Sequence, residues 1–157
     1  MRFVFVRHGH YDHGTKPDQG PLTEHGERQA REAGEYLRDA GIVPDFVVTT
    51  RTLRTRQTAR LLLAATGRGE QESLPLKKGG FTIGGHNFDA KVAEWRALAP
   101  TPPETLLFVG HEPSQDACEK RSPGLVLPKK THGAVVVFER DADGDWRVVR
   151  SFGGSGP

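Results

Sequence analysis

The sequence predicts an α/β fold in which helices cover both faces of a mostly parallel β-sheet. Short, wholly apolar runs rich in Val and Phe recur along the chain, as is typical of strands buried on both faces. Stretches with apolar residues at helical spacing separate these runs, and strands alternating with helices favour a parallel sheet. The chain has 157 residues, which suits one domain better than two. We therefore predict a single domain over 1–157, with the last few residues forming a flexible tail.

The predicted strands begin almost at the start of the chain. In order they are Phe3 to Val6, Phe46 to Thr49, Leu106 to Val109, Ala134 to Phe138 and Arg147 to Phe152. The last two are joined by a turn around Asp143-Gly144, a dipeptide that favours a hairpin. The sequence therefore predicts a late antiparallel strand beside the parallel ones.

Three helices are predicted between the strands. The first follows the capping residue Thr23 and ends at Gly41, with Ala30, Ala33, Leu37 and Ala40 on one face. The second covers about Arg51 to Thr66, with Leu53, Leu61 and Ala64 facing inward. The third runs from about Asp89 to Ala99 and stops at Pro100.

The composition excludes several classes of protein. Basic residues number 22 and acidic ones 20, for a net charge of +2, so no nucleic-acid partner is predicted. The lone cysteine, Cys118, rules out an intrachain disulfide and a four-cysteine zinc site. No apolar run approaches the length of a membrane span, so we predict a cytoplasmic protein with no membrane partner. The oligomeric state is not predicted.

Histidines and arginines follow the ends of three predicted strands. Parallel sheets bind ligands beyond the carboxyl ends of their strands. There the chain places Arg7-His8-Gly9, then Arg51 and Arg54 after the second strand, then His111 after the third. Cations and imidazoles suit an anion whose charge grows during reaction, and a phosphoryl group is such an anion.

Physical roles can be given to these residues. A histidine nucleophile such as His8 needs one unprotonated ring nitrogen, and an acceptor must hold the proton on the other. Arg7 and Arg54 can hold phosphate oxygens with their planar guanidinium groups. Gly9 allows the backbone and the phosphate to approach closely. His111, if protonated, would supply a further donor.

Motifs along the first two thirds of the chain resemble those of the histidine phosphatase superfamily, also called phosphoglycerate-mutase-like. They are Arg7-His8-Gly9 (the RHG motif), Leu22-Thr23-Glu24-His25-Gly26 leading to Gln29-Ala30, Arg54-Thr55-Arg56-Gln57-Thr58-Ala59, and Val109-Gly110-His111-Glu112-Pro113. The resemblance implies a phosphohistidine intermediate on His8 in a phosphate pocket completed by Arg7, Arg54 and His111. It also implies a three-layer α/β/α fold, no metal and no cofactor. The family usually has Ser-Pro where this chain has Thr50-Arg51, so Arg51 is a further residue expected at the pocket rim.

The short chain and the stretch Pro128 to Ala134 are similar to the phosphohistidine-phosphatase branch of this family. The implied substrate is a phosphoprotein or a small phosphomonoester. Many family members carry an acid that protonates the leaving oxygen, and here Glu72, Asp89 and Glu112 are the candidates. A missing acid would favour phosphohistidine, because imidazole departs more readily than an alkoxide. No role is predicted for the glycine-rich segment 79–85, and a helix cut short at Ser122-Pro123 would leave the pocket open.

Other functions compete with this interpretation. His8, His10, Asp12 and His13 spell the zinc-ligand run of metallo-β-lactamase-like hydrolases, and such residues can generate a zinc-bound hydroxide. That interpretation leaves Arg7, the Arg54 motif and the His111 motif unexplained. A binding module that has lost turnover is a further alternative. A mutase is less favoured, because the chain is short.

Overall fold

The computed structural model describes residues 1–14, 16–67, 74–75, 83, 87–121 and 131–153. Some sequence-based predictions fall outside these residues. They concern Glu72, the glycine-rich segment apart from Ile83, residues 122–130 and the proposed tail from residue 154 onward.

A six-stranded mixed sheet forms the centre of the molecule. Its strands are β1 (Arg2–Arg7), β2 (Phe46–Thr49), β3 (Leu74–Pro75), β4 (Thr105–Gly110), β5 (Val135–Arg140) and β6 (Trp146–Phe152). Their spatial order is β3-β2-β4-β1-β5-β6. The first three pairings in this order are parallel, and β5 is antiparallel to both of its neighbours. The prediction of a mostly parallel sheet with a late antiparallel strand is confirmed.

Helices pack on both faces of this sheet. They are α1 (Glu24–Asp39), α2 (Leu53–Ala65), α3 (Phe88–Arg96) and α4 (Glu112–Arg121). A short 3-10 turn covers Pro17–Gln19. For α4, only its interruption at Ser122-Pro123 was anticipated from the sequence, and no bounds were predicted. Among its described side chains Ala117 and Cys118 are the buried apolar ones, so no long apolar stripe signals a helix there.

Capping residues explain where α1 and α2 begin. The Thr23 side chain accepts a hydrogen bond from the Gly26 N–H, and Thr52 accepts one from the Thr55 N–H. The predicted inner face of α1 is correct at Ala30, Ala33 and Leu37.

The predicted inner face of α2 is wrong. Its buried residues are Thr55, Thr58, Ala59, Leu62 and Leu63, whereas Ala64 is exposed. The prediction assumed that only apolar residues would be buried. Thr55 and Thr58 are buried as well, because their hydroxyls donate hydrogen bonds to backbone oxygens.

Alternate residues of β1 build two hydrophobic layers. Val4 and Val6 pack with residues of α1 and α2. Phe3 and Phe5 pack with α3 and α4, in a layer where the rings of Trp95 and Phe108 lie 4.3 Å apart. The predicted three-layer α/β/α arrangement is therefore present. Among the helices described, none is both long and apolar enough to cross a membrane.

Candidate active site

Strand register brings two of the predicted site residues together. In the parallel pair β1 and β4, Arg7 lies opposite Gly110, so the residues that follow emerge side by side. The His8 N–H donates to the Gly110 carbonyl at 3.0 Å. The imidazole rings of His8 and His111 consequently lie 5.2 Å apart between centroids.

His8 has the tautomer that a nucleophile needs. Its side chain is buried, and Nδ1 lies 2.8 Å from the carbonyl oxygen of Gly9. Because a carbonyl can only accept, Nδ1 carries the proton and Nε2 keeps its lone pair. Burial, assisted by the neighbouring His111 and Arg54, lowers the pKa of His8 to about 2. The ring is therefore neutral at physiological pH.

Arg7 is a buried cation with unused donors. It is 5% exposed, and its Nη2 lies 3.9 Å from Oε2 of Glu112. Its Nε and Nη1 are buried and meet no hydrogen-bond acceptor among the described residues. Burial lowers its pKa, an effect that the Glu112 carboxylate opposes. Buried donors without acceptors cost free energy, so this guanidinium is suited to an oxyanion.

Arg54 lies in the first turn of α2 and stacks on Tyr11. Its Cζ atom is 4.3 Å from the centroid of the Tyr11 ring, a cation–π arrangement. The Tyr11 ring in turn meets the His8 ring edge-on at 5.4 Å. No role was predicted for Tyr11 from the sequence. Its role beside Arg54 follows from the folded loop and has no signal in the motif.

His111 is held by a threonine that the sequence analysis had not singled out. Its Nε2 lies 2.8 Å from Oγ1 of Thr50, which is also 2.9 Å from Oγ1 of Thr55. Burial and the nearby Arg54 lower the pKa of His111 to about 4. His111 is therefore neutral at physiological pH, and the condition under which it was predicted to act as an extra cationic donor is not met in the resting protein.

Other motif residues form hydrogen bonds that hold the loop carrying His8 in place. The Gly9 N–H donates to Thr58 Oγ1 at 3.0 Å, and the His10 N–H donates to Gln29 Oε1 at 2.9 Å. Gln57 Oε1 accepts from the Leu22 N–H at 2.8 Å. These residues position the loop after β1 against α1 and α2.

Gly9 is required for a different reason from the one predicted. A methyl group there would collide with the carbonyl oxygen of Gly26, and one at Gly26 would collide with that of His10. The close approach is thus between the loop backbone and the first turn of α1. The absence of a side chain at Gly9 therefore allows the loop to lie directly against the helix.

The sequence matches a known family over the part that carries His8 and Arg54. The model of the histidine phosphatase superfamily (branch 1) matches residues 3–76. The match takes in 74 of the 157 residues, and over them the chain resembles the histidine phosphatase superfamily.

Two curated relatives share parts of this chain. The serine/threonine-protein phosphatase Pgam5, mitochondrial, of Drosophila willistoni is 39% identical over 61 residues, which are 38% of this chain and 21% of the relative. The 2,3-bisphosphoglycerate-dependent phosphoglycerate mutase of Parvibaculum lavamentivorans is 33% identical over 118 residues, 64% of this chain and 56% of that protein. The chain thus spans about a fifth of the first and about half of the second.

A solved structure covers nearly the whole chain. The protein histidine phosphatase SixA, complexed with tungstate, superposes with a TM-score of 0.70 over 97% of this chain and 96% of that one. The two are 20% identical in sequence, so the likeness establishes a shared fold.

The remaining predicted site residues are spread over two regions. Arg51 lies exposed in the bend before α2, outside the helix that was predicted to begin with it. Glu112 lies at the site beside Arg7. Asp89 instead lines a cavity with Met1 and Trp146 at the opposite edge of the sheet, which excludes it as the acid.

The zinc-like run does not converge on one point. Nδ1 of His10 lies 2.9 Å from Thr23 Oγ1, and the Asp12 carboxylate accepts from the Gly14 N–H. His10, Asp12 and His13 are exposed, whereas His8 is buried. Within the residues that the structure describes, no three His, Cys, Asp or Glu side chains are placed to hold a metal ion.

A further histidine, His132, reaches the site and was not predicted as a site residue. Because β5 runs antiparallel to β1, the residues before β5 lie at the edge where β1 ends. The ring of His132 is 5.4 Å from that of His8. The predicted antiparallel hairpin could have indicated this position, since the direction of the late strand determines the edge of the sheet at which that strand begins.

Proposed function

We propose that this chain is a metal-independent phosphatase that forms a phosphohistidine intermediate on His8. One observation carries the proposal: a buried, neutral His8 keeps its Nε2 lone pair while its Nδ1–H is bound to the Gly9 carbonyl. Arg7 and Arg54 lie beside this nucleophile as fixed cations. The family match over residues 3–76 agrees with this reaction, and the tungstate bound to SixA is a tetrahedral oxyanion like phosphate.

The proposed reaction has two displacements. Nε2 of His8 attacks the phosphorus while Arg7 and Arg54 hold the phosphoryl oxygens, and the leaving group departs on the opposite side. Water then attacks phospho-His8 and releases inorganic phosphate. His111, neutral and held by Thr50, offers one hydrogen bond without adding charge.

The proposed substrates are phosphohistidine proteins or other phosphomonoesters. Glu112 is the acid candidate found at the site, and its carboxylate is paired with the Arg7 guanidinium at 3.9 Å. We therefore expect phosphohistidine to be dephosphorylated much faster than alkyl phosphates, and equal rates would contradict this preference. Action in the cytoplasm is part of the proposal and rests on the sequence.

The test is to incubate the protein in EDTA with a phosphohistidine-carrying protein and with p-nitrophenyl phosphate. His8→Ala should lower the rate by about 10³-fold or more, because it removes the nucleophile. His13→Ala is the matched control, since His13 is exposed and belongs only to the zinc alternative. It should leave the rate within about twofold of wild type.

Three other outcomes would contradict the proposal. Activity lost in EDTA and in His13→Ala, with stoichiometric zinc in the protein, would favour the zinc hydrolase. Tight binding of a phosphopeptide without any release of phosphate would favour a binding module. An active His8→Ala variant would show that another residue attacks phosphorus.

A further inference from the structure

Three neighbouring strands each bring one histidine to the same edge of the sheet. His111 follows β4, His8 follows β1 and His132 precedes β5, and these strands are adjacent in that order. The rings of His111 and His132 lie 5.2 Å and 5.4 Å from the ring of His8. His8 is thus flanked by an imidazole on each side.

The backbone holds His132 in place relative to His8. The N–H of Gly133 approaches the carbonyl oxygens of Arg7 and His8 at 3.1 Å and 3.3 Å. Gly133 adopts φ 78°, a conformation that glycine favours, and packs against Gln29. The position of the His132 ring is therefore tied to the peptide groups of the nucleophile.

The two flanking histidines differ in their hydrogen bonds. Nε2 of His111 is engaged by Thr50, which restricts that ring to a fixed role. Nδ1 of His132 is buried and has no hydrogen-bond partner in the part of the chain that the structure describes. A buried ring nitrogen left unused by the protein is available to a water molecule or a substrate.

We propose that His132 is a further catalytic residue, the base that accepts the proton of the water that hydrolyses phospho-His8. This inference rests on the phosphatase function proposed above. The water oxygen bonds to phosphorus as the bond from phosphorus to His8 Nε2 breaks, and that electron pair returns to Nε2. The water proton passes to His132, which later releases it to solvent, and inorganic phosphate leaves.

The charges around His132 suit this role. Burial first, then Arg7 and the neighbouring His10, His25 and His13, lower the pKa of His132 to about 4, so the ring is neutral and can accept a proton. A phosphoryl group held by Arg7 brings negative charge that favours the imidazolium form. The proton affinity of His132 therefore rises in the intermediate, where the base is needed.

Glu112 is the competing base at this site. Its carboxylate lies 3.9 Å from Arg7 Nη2, and 41% of its side chain is exposed. This carboxylate is thus already paired with the arginine that would hold the phosphoryl group. His132 is better placed, since it adjoins the ring of His8 itself.

The experiment is rapid mixing of His132→Gln with p-nitrophenyl phosphate in EDTA, beside wild type and His10→Gln. The p-nitrophenolate group leaves without an acid, so phosphorylation of His8 should stay fast. Hydrolysis should slow by about 10²-fold. We expect a burst of about one p-nitrophenol per protein, followed by slow turnover and accumulation of acid-labile phosphate on His8. His10→Gln, whose ring lies 5.5 Å from that of His132, should show no burst.

A second variant separates catalysis from folding. His132→Ala should show the same burst, and added imidazole should restore its turnover. If His132→Gln turns over slowly but releases no burst of p-nitrophenol, the inference is overturned, because the phosphorylation of His8 would then be the impaired step. Wild-type turnover in both variants would overturn it as well. A wild-type protein that neither releases p-nitrophenol nor becomes phosphorylated would instead overturn the proposed function itself, and this inference with it.

Discussion

The two edges of the sheet carry different sets of side chains. The carboxyl-terminal edge holds the buried His8 beside Arg7 and Arg54. The amino-terminal edge has a cavity of about 440 Å³ lined by Arg96, Arg140 and apolar residues that include Val92 and Trp146. Both edges contain an arginine whose Nε is buried and meets no acceptor among the described residues, Arg7 at one and Arg96 at the other.

What separates the edges is the buried imidazole of His8, whose tautomer is fixed by the Gly9 carbonyl. The large cavity has cations and apolar walls, but no imidazole among its lining residues. The region beyond β1 combines cations with three histidines that follow or precede adjacent strands. The direction of the strands therefore determines which edge of the sheet receives the histidines.

The largest expected difference between the edges comes from exchanging arginine for lysine. Arg7→Lys should lower kcat/KM by about 10²-fold or more, because an ammonium group cannot reproduce the planar contacts with an oxyanion. Arg96→Lys, the counterpart at the other edge, should change kcat/KM by less than about twofold. Steady-state rates with p-nitrophenyl phosphate test this pair. Similar losses in both variants would mean that the two edges act together.

A smaller effect is expected from two neighbouring threonines of the reactive edge. Thr50→Val removes the hydroxyl that binds His111 and should lower kcat/KM about fivefold to tenfold, as loss of one hydrogen bond predicts. Thr49→Val removes a buried hydroxyl that has no partner among the described residues, so activity and stability should be kept or slightly improved. Rates and urea unfolding of both variants check this. Equal losses would indicate that packing, not the bond to His111, matters.

The smallest effect concerns the pH dependence of folding. Because burial lowers the pKa of His8 in the folded state from 6.5 to about 2, the unfolded chain binds more protons as the pH falls below about 6.5. The free energy of unfolding should therefore decrease with acidification, by roughly 0.7 kcal/mol between pH 7 and pH 6 from His8 alone. His8→Gln should flatten this slope, whereas His13→Gln, at an exposed position, should not. Urea unfolding at both pH values measures it, and equal slopes in all three proteins would contradict the burial argument.

Sequence patterns predicted the sheet well because its strands are buried apolar runs. They placed β1 within a residue and also identified the ends where Arg7, His8, Arg54 and His111 meet. They failed for α4, whose apolar content is low, and for the inner face of α2, where hydroxyl groups are buried. A pattern of apolar residues predicts which apolar side chains are buried. It does not identify a threonine that is buried with its hydroxyl in a hydrogen bond.

The site residues that follow parallel strands were predicted from the sequence. Those that reach the site through contacts between residues distant in the chain were missed. Thr50 reaches His111 over a separation of 61 residues, and no local motif carries that pairing. His132 lies at the site because β5 runs antiparallel to β1, so the residues before β5 are next to the end of β1. Gly9 was selected correctly for close backbone approach, but its neighbour proved to be Gly26. Such three-dimensional contacts depend on strand order, which sequence alone left open.

The position of β1 in the strand order has a consequence for the synthesis of the chain. Both neighbours of β1 come from the second half of the sequence, namely β4 and β5. Residues 3–76, which carry the family match, contain His8 and Arg54 but neither of those neighbouring strands. A nascent chain must therefore emerge past residue 140 before the nucleophile's strand is enclosed on both sides, so the reactive edge is assembled late in translation although its principal residue is made among the first.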